Sequence, residues 1–218
     1  ETAYVGNYTR NVTIESEDGA STPIHHRGHF MQMHSDDVDI RYAAFNHLGR
    51  TDKSTSDKAQ KTGPRTVSEL SPLSPGSNIK GRYSLHFHRT GFKQLDKPAL
   101  AIGNAVTGAP GWGYVHHDAN AIFHNNVSYD TIGAAYVAET GNETGSWTNN
   151  LAIGADGAFF KVNTHHPKES IDHANFDLGS SGAGFFFQGR MVHAAGNVAA
   201  SVNTGYNFMH RGRIDTDP

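Results

Sequence analysis

The chain has 218 residues, 36% hydrophobic and 18% charged, with a formal net charge of −3. This is a globular composition, which excludes a disordered chain and gives none of the basic footprint of a nucleic-acid binder. Cysteine is absent, which excludes a disulfide framework and a thiolate metal site, and no apolar run approaches the ~20 residues of a membrane helix. The chain starts at Glu1 without a signal-peptide pattern, so it reads as a piece processed or excised from a longer protein.

In chain order, Asn11-Val12-Thr13-Ile14 is the first predicted strand. A dense histidine run follows at His25-His26-Arg27-Gly28-His29, with His34 shortly after, and Val38-Asp39-Ile40-Arg41-Tyr42 reads as a second strand. Residues 50–80 are polar and rich in Ser, Thr, Lys and Pro, the composition of a long loop inserted between regular segments. Ser84-Leu85-His86-Phe87-His88-Arg89 is a strand on which His86 and His88 share a face. No amphipathic helix of useful length is evident.

From there the chain repeats. Asn104-Ala105-Val106, Asn126-Val127-Ser128, Asn150-Leu151-Ala152, Asn175-Phe176-Asp177 and Asn197-Val198-Ala199 are spaced by 22, 24, 25 and 22 residues. A second series runs in phase: Gly111-Trp112-Gly113-Tyr114, Gly133-Ala134-Ala135-Tyr136, Gly157-Ala158-Phe159-Phe160, Gly182-Ala183-Gly184-Phe185 and Gly205-Tyr206-Asn207-Phe208. Two landmarks sharing one drifting period are the signature of a solenoid. The expected fold is all-β: a single right-handed parallel β-helix over residues 1–218, with coils of about 22–25 residues stacked at the strand spacing of about 4.8 Å. Val106, Val127, Leu151, Phe176 and Val198 are then the expected inward apolar ladder. Asn at the turn tolerates left-handed backbone and can stack on itself.

The candidate chemistry lies on successive coils. His86 and His88 are followed one coil later by Tyr114-Val115-His116-His117-Asp118, then by Tyr136-Val137-Ala138-Glu139. Stacking puts His86, His88, either His116 or His117, and Glu139 on one face. That set suits a divalent ion, zinc or calcium being the candidates, with His86, His88, His116 and Glu139 as ligands. It equally suits metal-free acid–base work by His116 and Glu139, or a plain solvated polar ladder. No organic cofactor is implied. Asp130 is a second catalytic candidate; as a turn residue it also has a purely structural reading. Arg82 and Arg89 would suit a carboxylate on an acidic polysaccharide, and Trp112 or Trp147 would stack on sugar rings, with His117 nearby. Asn-x-Ser/Thr sequons occur at Asn7, Asn11, Asn126 and Asn142.

Several motifs carry a family resemblance. Arg27-Gly28-His29-Phe30-Met31-Gln32-Met33 resembles the Gly-Gly-His-apolar-Met segment of the cell-migration-inducing and transmembrane cell-surface hyaluronidases and the fibrocystin-like proteins. Gly81-Arg82-Tyr83-Ser84-Leu85-His86-Phe87-His88, Asn126-Val127-Ser128-Tyr129-Asp130-Thr131-Ile132-Gly133 and Glu139-Thr140-Gly141-Asn142-Glu143-Thr144-Gly145 are similar to further segments of that family, in the same order. The resemblance implies a parallel β-helix in an extracellular or cell-surface protein, hyaluronan binding or cleavage as an activity, and calcium as one relevant ion. His86, His88, His116, Asp130 and Glu139 fall on matching positions. The chain departs from the pattern in having Ala119 where the family carries a second His, Ser84 in place of Pro, and no cysteines, which points to a bacterial relative whose glycan need not be hyaluronan.

Two readings follow. In the first the chain cleaves an acidic, hyaluronan-like polysaccharide, as a glycoside hydrolase with Asp130 and Glu139 as its carboxyl pair or as a lyase. In the second it is a non-catalytic glycan-binding or adhesive module of a surface protein. Either way it is expected to be monomeric, with no nucleic-acid partner and no membrane insertion within the chain. Convergence of His and carboxylate groups separates the two.

Overall fold

The computed structural model describes residues 3–53, 60–61, 78–91, 97–157 and 179–209. Three parallel sheets run the length of a parallel β-helix, visited in turn by successive strands. The first sheet contains β1 (Val12–Glu15), β4 (Ala43–Asn46), β9 (Ala105–Ala109), β12 (Val127–Ile132), β15 (Leu151–Asp156) and β18 (Val198–Val202). The second contains β2 (Met31–Met33), β7 (Leu85–His88), β10 (Tyr114–His117), β13 (Tyr136–Glu139), β16 (Ala183–Phe187) and β19 (Thr204–Phe208). The third contains β3 (Asp39–Arg41), β8 (Ala99–Ile102), β11 (Asn120–His124), β14 (Thr144–Thr148) and β17 (Met191–Ala195). A small parallel pair, β5 (Gln60–Lys61) and β6 (Asn78–Ile79), stands apart from them. The inserted loop expected over residues 50–80 lies largely outside the described residues.

The stacking is visible in the side chains. Inside the coil, the rings of Tyr114 and Tyr136 stack at 4.6 Å, Tyr136 and Phe185 at 4.9 Å, and Phe185 and Tyr206 at 5.2 Å. These are close to the strand spacing itself, so each aromatic sits on its predecessor. At the turn before the first sheet, the backbone N–H of Asn104 donates to Oδ1 of Asn126, that of Asn126 to Asn150, and that of Asn150 to Asn197. The Asn side chains thus satisfy buried donors that have no neighbour on their own coil.

Two expectations change. The rung above Asn150 is Asn197, and β15 pairs directly with β18; Asn175-Phe176-Asp177 and Ala158-Phe159-Phe160 lie outside the described residues. The expected apolar ladder also divides. Val106 points into the core beside Phe45 and Ala152, but it is Ala105 that stands in register with Val127, Leu151 and Val198. Those residues share the outer face with exposed Tyr129, because strand side chains alternate. They remain largely shielded because the N-terminal segment crosses that face. Gly6 lies against Val127, Leu151 and Ile153, and Tyr8 stacks on Tyr129 at 5.5 Å.

The chain turns a corner from the first sheet to the second between β9 and β10 and again between β12 and β13. Side chains from this corner fold over part of the second sheet. Tyr83, Trp112, Ala134 and Ala183 pack there with Val115, Val137 and Phe186 of the sheet's outer face, forming a second apolar cluster. The site lies beside it.

Candidate functional site

On the second sheet, Leu85, Tyr114 and Tyr136 occupy one register position and point inward. Alternation therefore sends His86 and His88 outward. His86 is in register with Val115 and Val137, under the apolar cover, where Tyr83 packs its ring edge at 5.4 Å. His88 is in register with His117, and His117 with Glu139, at the uncovered end of the strands.

These positions bring three imidazoles together. One ring nitrogen from each of His86, His88 and His117 lies within 4.8 Å of the other two. The ring centroids are 5.4 Å apart for His86 and His88, 5.7 Å for His86 and His117, and 4.5 Å for His88 and His117. Nδ1 of His86 is 3.2 Å from the Gly81 carbonyl oxygen and donates to it, while Nδ1 of His117 donates to Oε2 of Glu139 at 3.2 Å. Nε2 of His86 and Nδ1 of His88 are buried without a hydrogen-bond partner among the described residues. The His34 ring stands edge-on to His88 at 6.1 Å.

Burial, then the neighbouring His117, holds His86 well below the ordinary imidazole range. Burial, His117, Arg89 and His34 lower His88 to about 4. Both rings are therefore neutral at physiological pH, with lone pairs available to a proton or an ion. His117 and Glu139 keep 24% and 20% of their side-chain surface exposed, so a ligand can reach them.

Positive charge flanks the triad. The Arg50 N–H donates to the Arg82 carbonyl at 2.9 Å, placing the two arginines on adjacent coils. His29 is lowered to about 4 by burial and by both arginines, and Arg82 also acts on His86. On the other flank Arg89 pairs with Asp118 at 3.1 Å. Beneath the turns, buried Glu143 accepts hydrogen bonds from the Asp118 N–H (3.0 Å), the Thr140 hydroxyl (2.7 Å) and the Gly141 N–H (3.0 Å). It thereby ties together the turns that follow His117 and Glu139. Burial raises its pKa.

Other expected site residues lie elsewhere. His116 points into the core and is fully buried. Its Nε2 donates to the Ala119 carbonyl at 2.7 Å, and its Nδ1 accepts from the Trp147 indole at 3.2 Å. It is a packed, satisfied core histidine, and His117 takes the place on the outer face. Asp130 is on the first sheet, exposed and with φ 55°, so it does not face Glu139 across a common cleft. Trp112 is buried: it stacks on Tyr83 at 4.8 Å, lies under the Lys53 ammonium at 3.8 Å and donates to the Gly179 carbonyl. Trp147 is equally buried. Neither indole is presented to a sugar. Arg50 and Glu143 were not given a role from sequence, and His29 was noted only as part of a dense histidine run. The signal for Glu143 was its place four residues after Glu139 in a turn rich in Gly and Thr.

Among the described residues, no helix is long and apolar enough to cross a membrane. The profile of a family described as CEMIP beta-helix matches residues 66–214. Neither the comparison with curated proteins nor that with solved structures returned a match.

Proposed function

Because the chain belongs to the CEMIP beta-helix family, we propose that it is an extracellular β-helix domain that cleaves an acidic, hyaluronan-like polysaccharide on the outer face of its second sheet. The observation that carries this reading is the meeting of His86, His88 and His117 within 4.8 Å, with Glu139 bonded to His117. Neutral imidazoles clustered in this way can move a proton or hold an ion, and that favours chemistry over binding alone. Arg82, whose charge reaches His86, supplies positive charge for a uronate carboxylate beside it. Glu139 fixes which nitrogen of His117 carries the proton, so the other faces the glycan as a lone pair. Asp130 and Glu139 stand on different sheets, which disfavours a two-carboxylate hydrolase built from that pair.

The test is chain length. The full chain is incubated with hyaluronan, with another uronate polymer and with a neutral glycan, and polymer size is followed by light scattering. Shortening of the uronate polymers alone, lost in a folded His117→Ala variant, is the expected result. Unchanged polymer size with retained binding would overturn it in favour of a non-catalytic glycan-binding module.

A further inference from the structure

We propose that His86, His88 and His117 form a three-imidazole site for a divalent transition ion of the zinc class, and that Glu139 acts on that ion through His117. This deepens the reading of the same site. It rests on that reading only for what the ion does to a glycan.

The backbone sets the triangle. Two residues apart on one strand, His86 and His88 are separated by about 7 Å along the chain, and His117 projects from the adjacent strand about 4.8 Å away. Three side chains so placed cap one side of an ion. Around a tetrahedral zinc, ligand nitrogens at about 2.1 Å from the metal lie about 3.4 Å from one another. The 4.8 Å limit seen here is closed by small ring rotations of His88 and His117, which are only partly buried.

The hydrogen bonds choose the nitrogens. His86 gives its Nδ1 proton to the Gly81 carbonyl, leaving Nε2 as a lone pair. His117 gives its Nδ1 proton to Glu139, leaving its other nitrogen in the same state. A backbone carbonyl and a carboxylate are the usual partners behind ligating imidazoles, where they fix the ring and raise its basicity. Nε2 of His86, on a side chain almost wholly buried, and Nδ1 of His88 have no hydrogen-bond partner among the described residues. A buried polar atom left unsatisfied destabilises the fold. Two of them within reach of each other and of a third lone pair point to one shared ligand.

The donor set identifies its class. Three neutral nitrogens suit zinc and its transition-metal neighbours, whereas calcium and magnesium take oxygen ligands. Three protein ligands leave a tetrahedral ion one open position for water or a glycan oxygen.

The experiment uses the full chain, stripped with chelator and titrated with zinc chloride by calorimetry, then with cobalt(II) followed by visible absorption. One ion per chain and a tetrahedral cobalt spectrum are expected. Calcium should not compete. His86→Ala and His117→Ala should weaken zinc binding at least 100-fold, and Glu139→Gln by about 10–100-fold. His193→Ala, an exposed histidine on the third sheet, should change nothing. Should His86→Ala fail to fold, His117→Gln at the partly exposed position carries the test. A folded wild-type chain that binds no zinc, or binding untouched in a folded His117 variant, would overturn the proposal. Zinc binding without glycan cleavage would instead sink the proposed function and leave the metal site standing.

Discussion

The Glu139 carboxylate accepts a hydrogen bond from Nδ1 of His117 at 3.2 Å, and the two residues occupy the same register position on neighbouring coils. The stacking of the solenoid thus supplies the pairing, and no loop is needed to aim either side chain. Glu139→Gln retains an oxygen able to accept that bond but loses the negative charge behind the imidazole. Glycan cleavage should fall about 10–100-fold in this variant while the melting temperature stays close to wild type. The check is a depolymerisation rate beside a thermal melt. An unchanged rate would separate Glu139 from the chemistry.

His116 should behave in the opposite way. Its ring is buried between the Ala119 carbonyl and the Trp147 indole, and both bonds vanish in His116→Ala. Cavity and unsatisfied partners together should cost about 2–5 kcal/mol in urea denaturation. The cleavage rate per folded molecule should hardly change, because the ring faces the core.

The same residue gives the fold a pH dependence. Burial lowers His116 from 6.5 to about 4. Between those values the unfolded chain binds the proton more readily, so stability rises with pH across this window. The contribution is complete above about pH 6.5 and is lost as the pH falls towards about 4. For this buried ring the full effect is on the order of 3 kcal/mol. His88 and His29, also lowered to about 4, act in the same direction but are partly exposed and add less. Denaturation midpoints measured from pH 7 down to pH 5 should fall, and His116→Gln should flatten the slope. A wild-type midpoint independent of pH over that range would contradict the neutral core imidazole.

The asparagine ladder is the third element open to test. Asn126 accepts from the Asn104 N–H, and its own amide donates to the Ala101 carbonyl and to Asn150. Asn126→Ala leaves buried partners unsatisfied and should cost about 2–4 kcal/mol. Asn126→Asp keeps the acceptor for Asn104 but loses both donors, so it should still destabilise the fold in equilibrium unfolding. Burial of Asn126 also makes its sequon a poor glycosylation acceptor.

The coil was legible in the sequence because stacking forces like residues to recur, and Asn104, Asn126, Asn150 and Tyr114, Tyr136 do so. The site was nearly legible. Counting three residues on from Leu85, Tyr114 and Tyr136 gives His88, His117 and Glu139, the column observed. What left His116 and His117 open was the direction of Tyr114, since a tyrosine is at home on either face of a sheet. Once Tyr114 is known to point inward, alternation settles the pair. Trp112 and the Val127 ladder were misjudged for another reason. Their cover comes from Lys53 and Tyr83 in one case and from residues around Gly6 in the other. Contacts between segments so far apart in the chain leave no local pattern to read.

Asp130 provides the sharpest test between a structural and a catalytic carboxylate. It stands between Tyr129 and Thr131, whose partners are Thr107 and Ala109 on one side and Ile153 and Ala155 on the other. Its own neighbours in the stack are therefore Gly108 and Gly154. All three have positive φ, 55° at Asp130, 67° at Gly108 and 64° at Gly154. Asp is among the few side chains that tolerate this conformation, which costs other residues roughly 1–2 kcal/mol. Asp130→Gly should thus change stability by less than about 1 kcal/mol, relief of strain being offset by the freer unfolded chain. Asp130→Val, with a branched side chain forced into left-handed backbone, should lose at least about 1–2 kcal/mol. Neither variant, once folded, should alter the rate of glycan shortening. A folded Asp130→Gly chain that had lost cleavage would return the carboxylate to the reaction and with it a hydrolase that pairs Asp130 with a group not yet identified.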